Sequence, residues 1–268
     1  MTTTRPVLEL RNVGATFPGT GKEPVQILTN INLSVREGEF VSIVGPSGCG
    51  KTTMLRVVNG LMPASSGEIL IDGEAAGQVG DQLLMGFVFQ AASLLPWRTS
   101  LKNVLLGLEG RVHDGRDADE IARKYLDLVG LTGFENHYPH QLSGGMQQRV
   151  NLARALAVNP RILLMDEPFA ALDAQTRSFM QLELLRIWTQ TRKTVIFVTH
   201  MIAEAVLLSD RVIVFSHRPG TIRAECNVSL PRPRDMDTKS SPQFLDLEKQ
   251  IWKQIEEEVR DAGGFGQS

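Results

Sequence analysis

Cysteine is nearly absent: Cys49 and Cys226 are the only two among 268 residues. A pair so far apart builds neither a disulfide framework nor a zinc cluster, which makes a reducing compartment the expected home. An excess of charge of one sign is lacking too, with 28 Lys and Arg against 30 Asp and Glu. No basic stripe of the kind that phosphate backbones require is present, so nucleic acid is not an expected partner. Long apolar runs are also missing. The most apolar stretch, Thr194 to Phe215, is broken by His200, Glu204, Ser209, Asp210 and Arg211, short of the roughly 18 residues that a membrane span needs. Met1 to Pro6 is polar and lacks a signal-peptide core, so the chain is expected not to be exported and to leave membrane crossing to another chain.

Two kinds of strand are present. Val7 to Val13, Gln26 to Val35, Glu39 to Val44 and Glu68 to Asp72 are short, mixed in pattern and separated by Gly, Pro and Asn turns, which predicts antiparallel pairing for several of them. Later runs are continuously apolar and end in polar residues: Ile162 to Met165 before Asp166 and Glu167, Thr194 to Val198 before Thr199 and His200, and Arg211 to Phe215. Such runs between helical stretches predict a parallel sheet buried on both faces, whose ligands gather at the carboxyl ends of its strands. Ser100 to Leu108 and Asp117 to Val129 have helical spacing, the second with Ile121, Tyr125, Leu128 and Val129 on one face. An amphipathic stretch, Phe244 to Val259, follows a Pro-rich connection and precedes a Gly-rich end expected to be disordered.

Gly45-Pro46-Ser47-Gly48-Cys49-Gly50-Lys51-Thr52 matches G-x-x-x-x-G-K-[ST], directly after the apolar run Phe40 to Val44 and before the helical pattern Thr53 to Asn59. Glycine lets the backbone turn so that successive N–H groups face phosphate oxygens at a helix N-terminus. Lys51 then reaches the β- and γ-phosphates and the Thr52 hydroxyl ligates Mg²⁺, so ATP and magnesium are the expected ligands. Asp166 and Glu167 fit the same chemistry. Asp166 is placed to hold the metal through its water, and Glu167 to orient or deprotonate the water that attacks the γ-phosphate. Leu142-Ser143-Gly144-Gly145-Met146-Gln147-Gln148-Arg149 opens another helix with small residues and forms a second anion site. One triphosphate does not need two helix ends from one chain, so the second site is expected to close over nucleotide held by another copy, in a homodimer.

Taken in order, the phosphate loop, Gln90, Leu142 to Arg149, Ile162 to Glu167, Ala171 to Asp173 and His200 resemble the ATP-binding cassette of ABC transporters over roughly Val7 to Phe215. The resemblance implies an α/β fold: a phosphate-loop NTPase core with a mainly parallel sheet, an N-terminal antiparallel β subdomain and an α-helical subdomain inserted at about 91–158. That ATPase domain would cover 1–230, with a tail at 231–268. Ser143 and Gly145, with Gly144 between them, would meet the γ-phosphate in trans, Gln90 would sense the magnesium and the attacking water, and His200 would touch the γ-phosphate. Asp173 would help join the two sites across the dimer, Phe17 would stack on adenine, and Thr53 would complete the ATP-binding set. Met146 stands where the commonest signature has Gln, and Ala170 where Ser or Gly is frequent; neither removes a phosphate contact.

Leu94, Leu95, Pro96 and Trp97 form an apolar cluster within Ala91 to Leu101, expected to receive a short helix from a membrane subunit. Leu94 to Thr99, with Asn103-Val104, Gly107-Leu108-Glu109, Phe169 to Arg177 and the turn His217 to Gly220, resembles importers of nitrate, sulfonates and taurine. The assembly so implied is a cassette homodimer with two transmembrane permease subunits and an extracytoplasmic solute-binding protein acting through the permease. It would lie peripherally at the cytoplasmic face of the inner membrane and import a small anion of the nitrate, alkanesulfonate or taurine type. The alternative is a soluble ABC-type ATPase without a channel partner, but the paired cassettes, coiled-coil inserts or basic surfaces usual in that class are not seen.

Overall fold

Aliphatic and polar residues mix along the N-terminal segment, and in the computed structural model, which describes residues 6–18, 23–76, 85–110 and 115–261, this segment forms an antiparallel sheet. Contacts divide the chain into two units, Met1–Gln82 with Thr194–Ser268, and Leu83–Lys193.

The first unit opens with β1 (Leu8–Phe17), β2 (Val25–Val35), β3 (Phe40–Val44), α1 (Lys51–Val58), β4 (Ser66–Ile71) and β5 (Glu74–Ala75). One sheet has the order β2-β1-β4-β5, antiparallel throughout. β1 runs to Phe17, past the Val13 expected from pattern, because register shifts between Leu10 and Val13 and again up to Thr16 let it keep pairing around Asn12, which has φ 51°.

The second unit contains β6 (Met85–Val88), α2 (Ser100–Leu105), α3 (Ala118–Leu128), α4 (Gly144–Ala157), β7 (Ile162–Asp166) and α5 (Ala174–Thr191). β6 and β7 pair in parallel from Met85↔Ile162 to Val88↔Met165. The Thr99 side chain caps α2 and Asp117 caps α3, each accepting a backbone N–H of the first turn. α3 buries Ala122, Leu126 and the adjoining Val129, whereas Ile121, Tyr125 and Leu128 lie half-buried beside them. Its inner face is therefore centred one residue away from the stripe that the spacing suggests. At Gly86 a Cβ would stand 2.7 Å from the Ala155 carbonyl oxygen, so only glycine lets β6 approach α4 this closely.

The chain then returns to the first unit with β8 (Thr194–Val198), α6 (Ile202–Leu208), β9 (Arg211–Phe215), β10 (Ile222–Asn227) and α7 (Pro242–Asp261). β3 lies parallel between β8 (Ile43↔Val198) and β9 (Val44↔Val214), and β10 closes antiparallel on β9. Every residue of β3 and β8 is buried, as a two-sided parallel sheet requires. α7 buries Phe244 and Ile251 and exposes Leu245 and Trp252. The Gly-rich end, 262–268, lies outside the described residues. Among the described residues no helix is long and apolar enough to cross a membrane.

Candidate active site

The phosphate-loop sequence turns where its glycines permit. Gly45, Gly48 and Gly50 have φ of 155°, 76° and 107°, the left-handed side of backbone space that glycine enters without penalty. A Cβ on Gly45 would lie 2.9 Å from the Phe215 carbonyl oxygen, and one on Gly50 would lie 2.8 Å from Leu28 Cδ2. Gly48 and Ser47 face outward, and a Cβ on Gly48 would meet nothing within 4 Å. Lys51 is buried, and its ammonium donates to the carbonyl oxygens of Gly45 at 2.9 Å and Pro46 at 3.0 Å. α1 starts at Lys51 with no side chain capping it at Gly50. A helix start without a side-chain cap, a curled loop and a lysine held inside it suit an anion, so these residues fit a nucleotide phosphate. Cys49 packs beneath the loop, and burial pushes its thiol above the usual range. Phe17 stands half-buried at the end of β1, opposite Val25.

Thr199 and His200 follow β8 directly, so they emerge at the same sheet end as the phosphate loop. The Thr199 N–H donates to the Ile43 carbonyl at 3.2 Å, two residues before Gly45. His200 is exposed, between the buried Thr199 and the half-buried Met201.

Within the second unit, parallel pairing of Val88 with Met165 sets Gln90 and Glu167 equally far past neighbouring strand ends. Gln90 is exposed, Asp166 is buried at the end of β7, and Glu167 has φ 44°. A non-glycine residue in that region is held there by its surroundings, as functional carboxylates often are. Ser143 is exposed as the N-cap of α4, its hydroxyl accepting the Met146 N–H at 3.3 Å. Gly144 is exposed and Gly145 buried, where a Cβ would meet Thr176 Cγ2 at 2.8 Å. Asp173 caps α5 and is exposed; the Thr176 hydroxyl first, then the N–H groups of Thr176 and Gln175, hold its carboxyl below the usual range. Arg177 donates to the Phe169 and Leu172 carbonyls and so fixes the turn before Asp173.

One face of α4 carries residues whose role the sequence reading missed. The buried Gln148 Nε2 lies within 3.3 Å of the Phe89 and Gln90 carbonyls and 2.5 Å from the Pro168 carbonyl. It thereby ties the backbone at Gln90 to the residue after Glu167. Asn151 and Arg154 extend the same row, with Arg154 donating to the Ala92 and Ser93 carbonyls. The available signal was the row itself, polar side chains at 148, 151 and 154, spaced three apart along one helix.

Leu94 and Leu95 are half-buried, while Pro96 and Trp97 project outward, Trp97 being 71% exposed. Asn103, fully buried on α2, supports this loop: its amide donates to the Leu95, Arg98 and Thr99 carbonyls and its oxygen accepts the Leu95 N–H at 2.8 Å.

A glycine loop running from a buried parallel strand into a helix, with an acidic pair after a second such strand, defines a phosphate-loop nucleotide-binding protein. The family described as ABC transporter matches residues 28–170, and the chain belongs to it. It is 51% identical to an uncharacterised ABC transporter ATP-binding protein of Methanocaldococcus jannaschii, over 94% of this chain and 92% of the relative. It is 44% identical to the aliphatic sulfonates import ATP-binding protein SsuB of Bacillus cereus, over 87% and 89%. Among solved structures, a dimeric post-hydrolysis state of the ATP-binding cassette MJ0796 bound to ADP and Pi is similar with a TM-score of 0.71 and 38% identity, covering 84% of this chain and all of that one. The chain is thus an ATP-binding ATPase of the ABC type, with the mixed α/β cassette fold.

Proposed function

We propose that this chain is the ATP-hydrolysing subunit of an importer, working as a homodimer at the cytoplasmic face of the inner membrane beneath two permease subunits. The observation that carries the transporter reading is the loop Leu94 to Trp97: it turns a large aromatic toward solvent yet is fastened from beneath by Asn103, with two hydrogen bonds to Leu95 and one each to Arg98 and Thr99 just after it. An exposed apolar residue on a rigid support suits a surface that receives a helix. The likeness to an aliphatic sulfonates import protein supports a small anion of the alkanesulfonate, taurine or nitrate type as cargo, delivered by an extracytoplasmic solute-binding protein.

In the catalytic cycle Lys51 carries positive charge to the β- and γ-phosphates, and the N–H groups of Gly48 and of Gly50 to Thr53 orient the chain of phosphates. Phe17 stacks on the adenine ring. Magnesium, when bound, neutralises charge on the phosphate oxygens; the residues suited to it are Thr52, Gln90 and Asp166. Glu167 accepts a proton from the attacking water, and His200 holds the γ-phosphate side of the site. Ser143, Gly144 and Gly145 serve the nucleotide of the other copy, and Asp173 links the two sites. The residues 91–158 form the helical lobe on which Ser143 and Trp97 both ride. Reconstitution with permease and binding protein tests the cargo: an alkanesulfonate, taurine or nitrate should raise phosphate release several-fold. Failure of all three would discard the anion reading and leave the ATPase in place.

A further inference from the structure

We propose that Thr199 and Glu204 are positioning residues for His200, acting through the backbone on either side of it. This rests on the reading of His200 as a contact to the γ-phosphate. Glu204 lies in the first turn of α6 and is only 3% exposed, a place where a carboxylate is costly unless its oxygens are bonded. Its Oε2 accepts the hydroxyl hydrogen of Thr199 at 2.5 Å, a charge-assisted bond. Lys239 adds positive charge nearby. The same Thr199 oxygen accepts the Met201 N–H at 3.0 Å, bridging across His200. The Thr199 N–H is bonded in turn to Ile43 on β3, the strand that leads into the phosphate loop.

These bonds divide the segment sharply. Thr199 is 2% exposed and bonded on its backbone and its side chain, whereas His200 turns outward. No side chain caps α6 at Met201, so the turn is held through Thr199 instead. At the far end of α6 the buried Arg234 donates to the Val206, Leu207 and Ser209 carbonyls, which keeps the helix, and Glu204 on it, from shifting. Glu204 therefore fixes where His200 stands relative to β3 without reaching the reacting atoms.

The test is phosphate release and ATP-analogue affinity of the full chain. Thr199→Val, which keeps the shape and removes the hydroxyl, should lower kcat by roughly tenfold while analogue affinity stays within about twofold. Glu204→Ala should behave alike. Thr199→Ser and Glu204→Gln, which retain the hydroxyl and an acceptor oxygen, should keep kcat within about threefold of wild type. His200→Ala and the double variant His200→Ala with Thr199→Val should be equally slow, because both act through one group. A Thr199→Val chain with wild-type kcat, whatever its melting temperature, would overturn the link, as would additive losses in the double variant. Wild-type turnover by His200→Ala would instead remove His200 from the machinery, and this inference with it.

Discussion

Glu167 carries the sharpest chemistry of any single residue. Its backbone is held at φ 44° one position past β7, and in the proposed mechanism a carboxylate set there accepts the proton of an attacking water. Glu167→Gln should lower phosphate release by on the order of a hundredfold while ATP binding persists; wild-type release from this variant would withdraw the assignment. Asp173 yields a prediction about acid. Its folded carboxyl lies below the ordinary 3.8, chiefly because the Thr176 hydroxyl bonds it. A lowered folded value means that its contribution is complete above the unfolded value and is lost as pH falls through the folded one. The difference in melting temperature between wild type and Asp173→Ala should stay constant from neutral pH down to about pH 5 and shrink below that. The helix start at Lys51 and the strand end before Glu167 were legible in the sequence because immediate neighbours announce them. Gln148 was not, since the carbonyls it meets at Phe89 and Gln90 lie 59 and 58 residues away.

At the scale of elements, α4 joins the chemistry to the scaffold. Its N-cap is Ser143, and its row Gln148, Asn151 and Arg154 grips the loop that follows β6. That grip depends on Gly86, where a side chain would collide with the Ala155 carbonyl. Gly86→Ala should destabilise the chain by about 1–3 kcal/mol, read from the urea midpoint; an unchanged midpoint would mean that α4 has room to retreat. Long periodic segments were legible: the spacing over Asp117 to Val129 matches α3 to within a residue at each end. Its inner face was mis-centred because Ala122 is small enough to escape notice beside Ile121 and Tyr125, yet it is fully buried together with Leu126 and Val129. β6 escaped detection for a different reason. Four residues, Met85–Val88, are too few to establish a period, and the strand is fixed by pairing with β7, which local pattern does not encode.

For the whole molecule, the two proposed anion sites set the logic. The phosphate loop belongs to one contact unit and Ser143 to the other, and two such helix starts in one chain match a pair of copies that share two nucleotides. The glycine turn that leads from β3 into α1 was legible in the sequence; that its lysine folds inward onto the Gly45 and Pro46 carbonyls was not. The central claim, that ATP joins two copies of this cassette, is tested most directly by the molar mass of the Glu167→Gln chain in saturating ATP and magnesium. Light scattering should give twice the mass of one chain with ATP and the mass of one chain without it. A single-chain mass at saturating ATP would contradict the account.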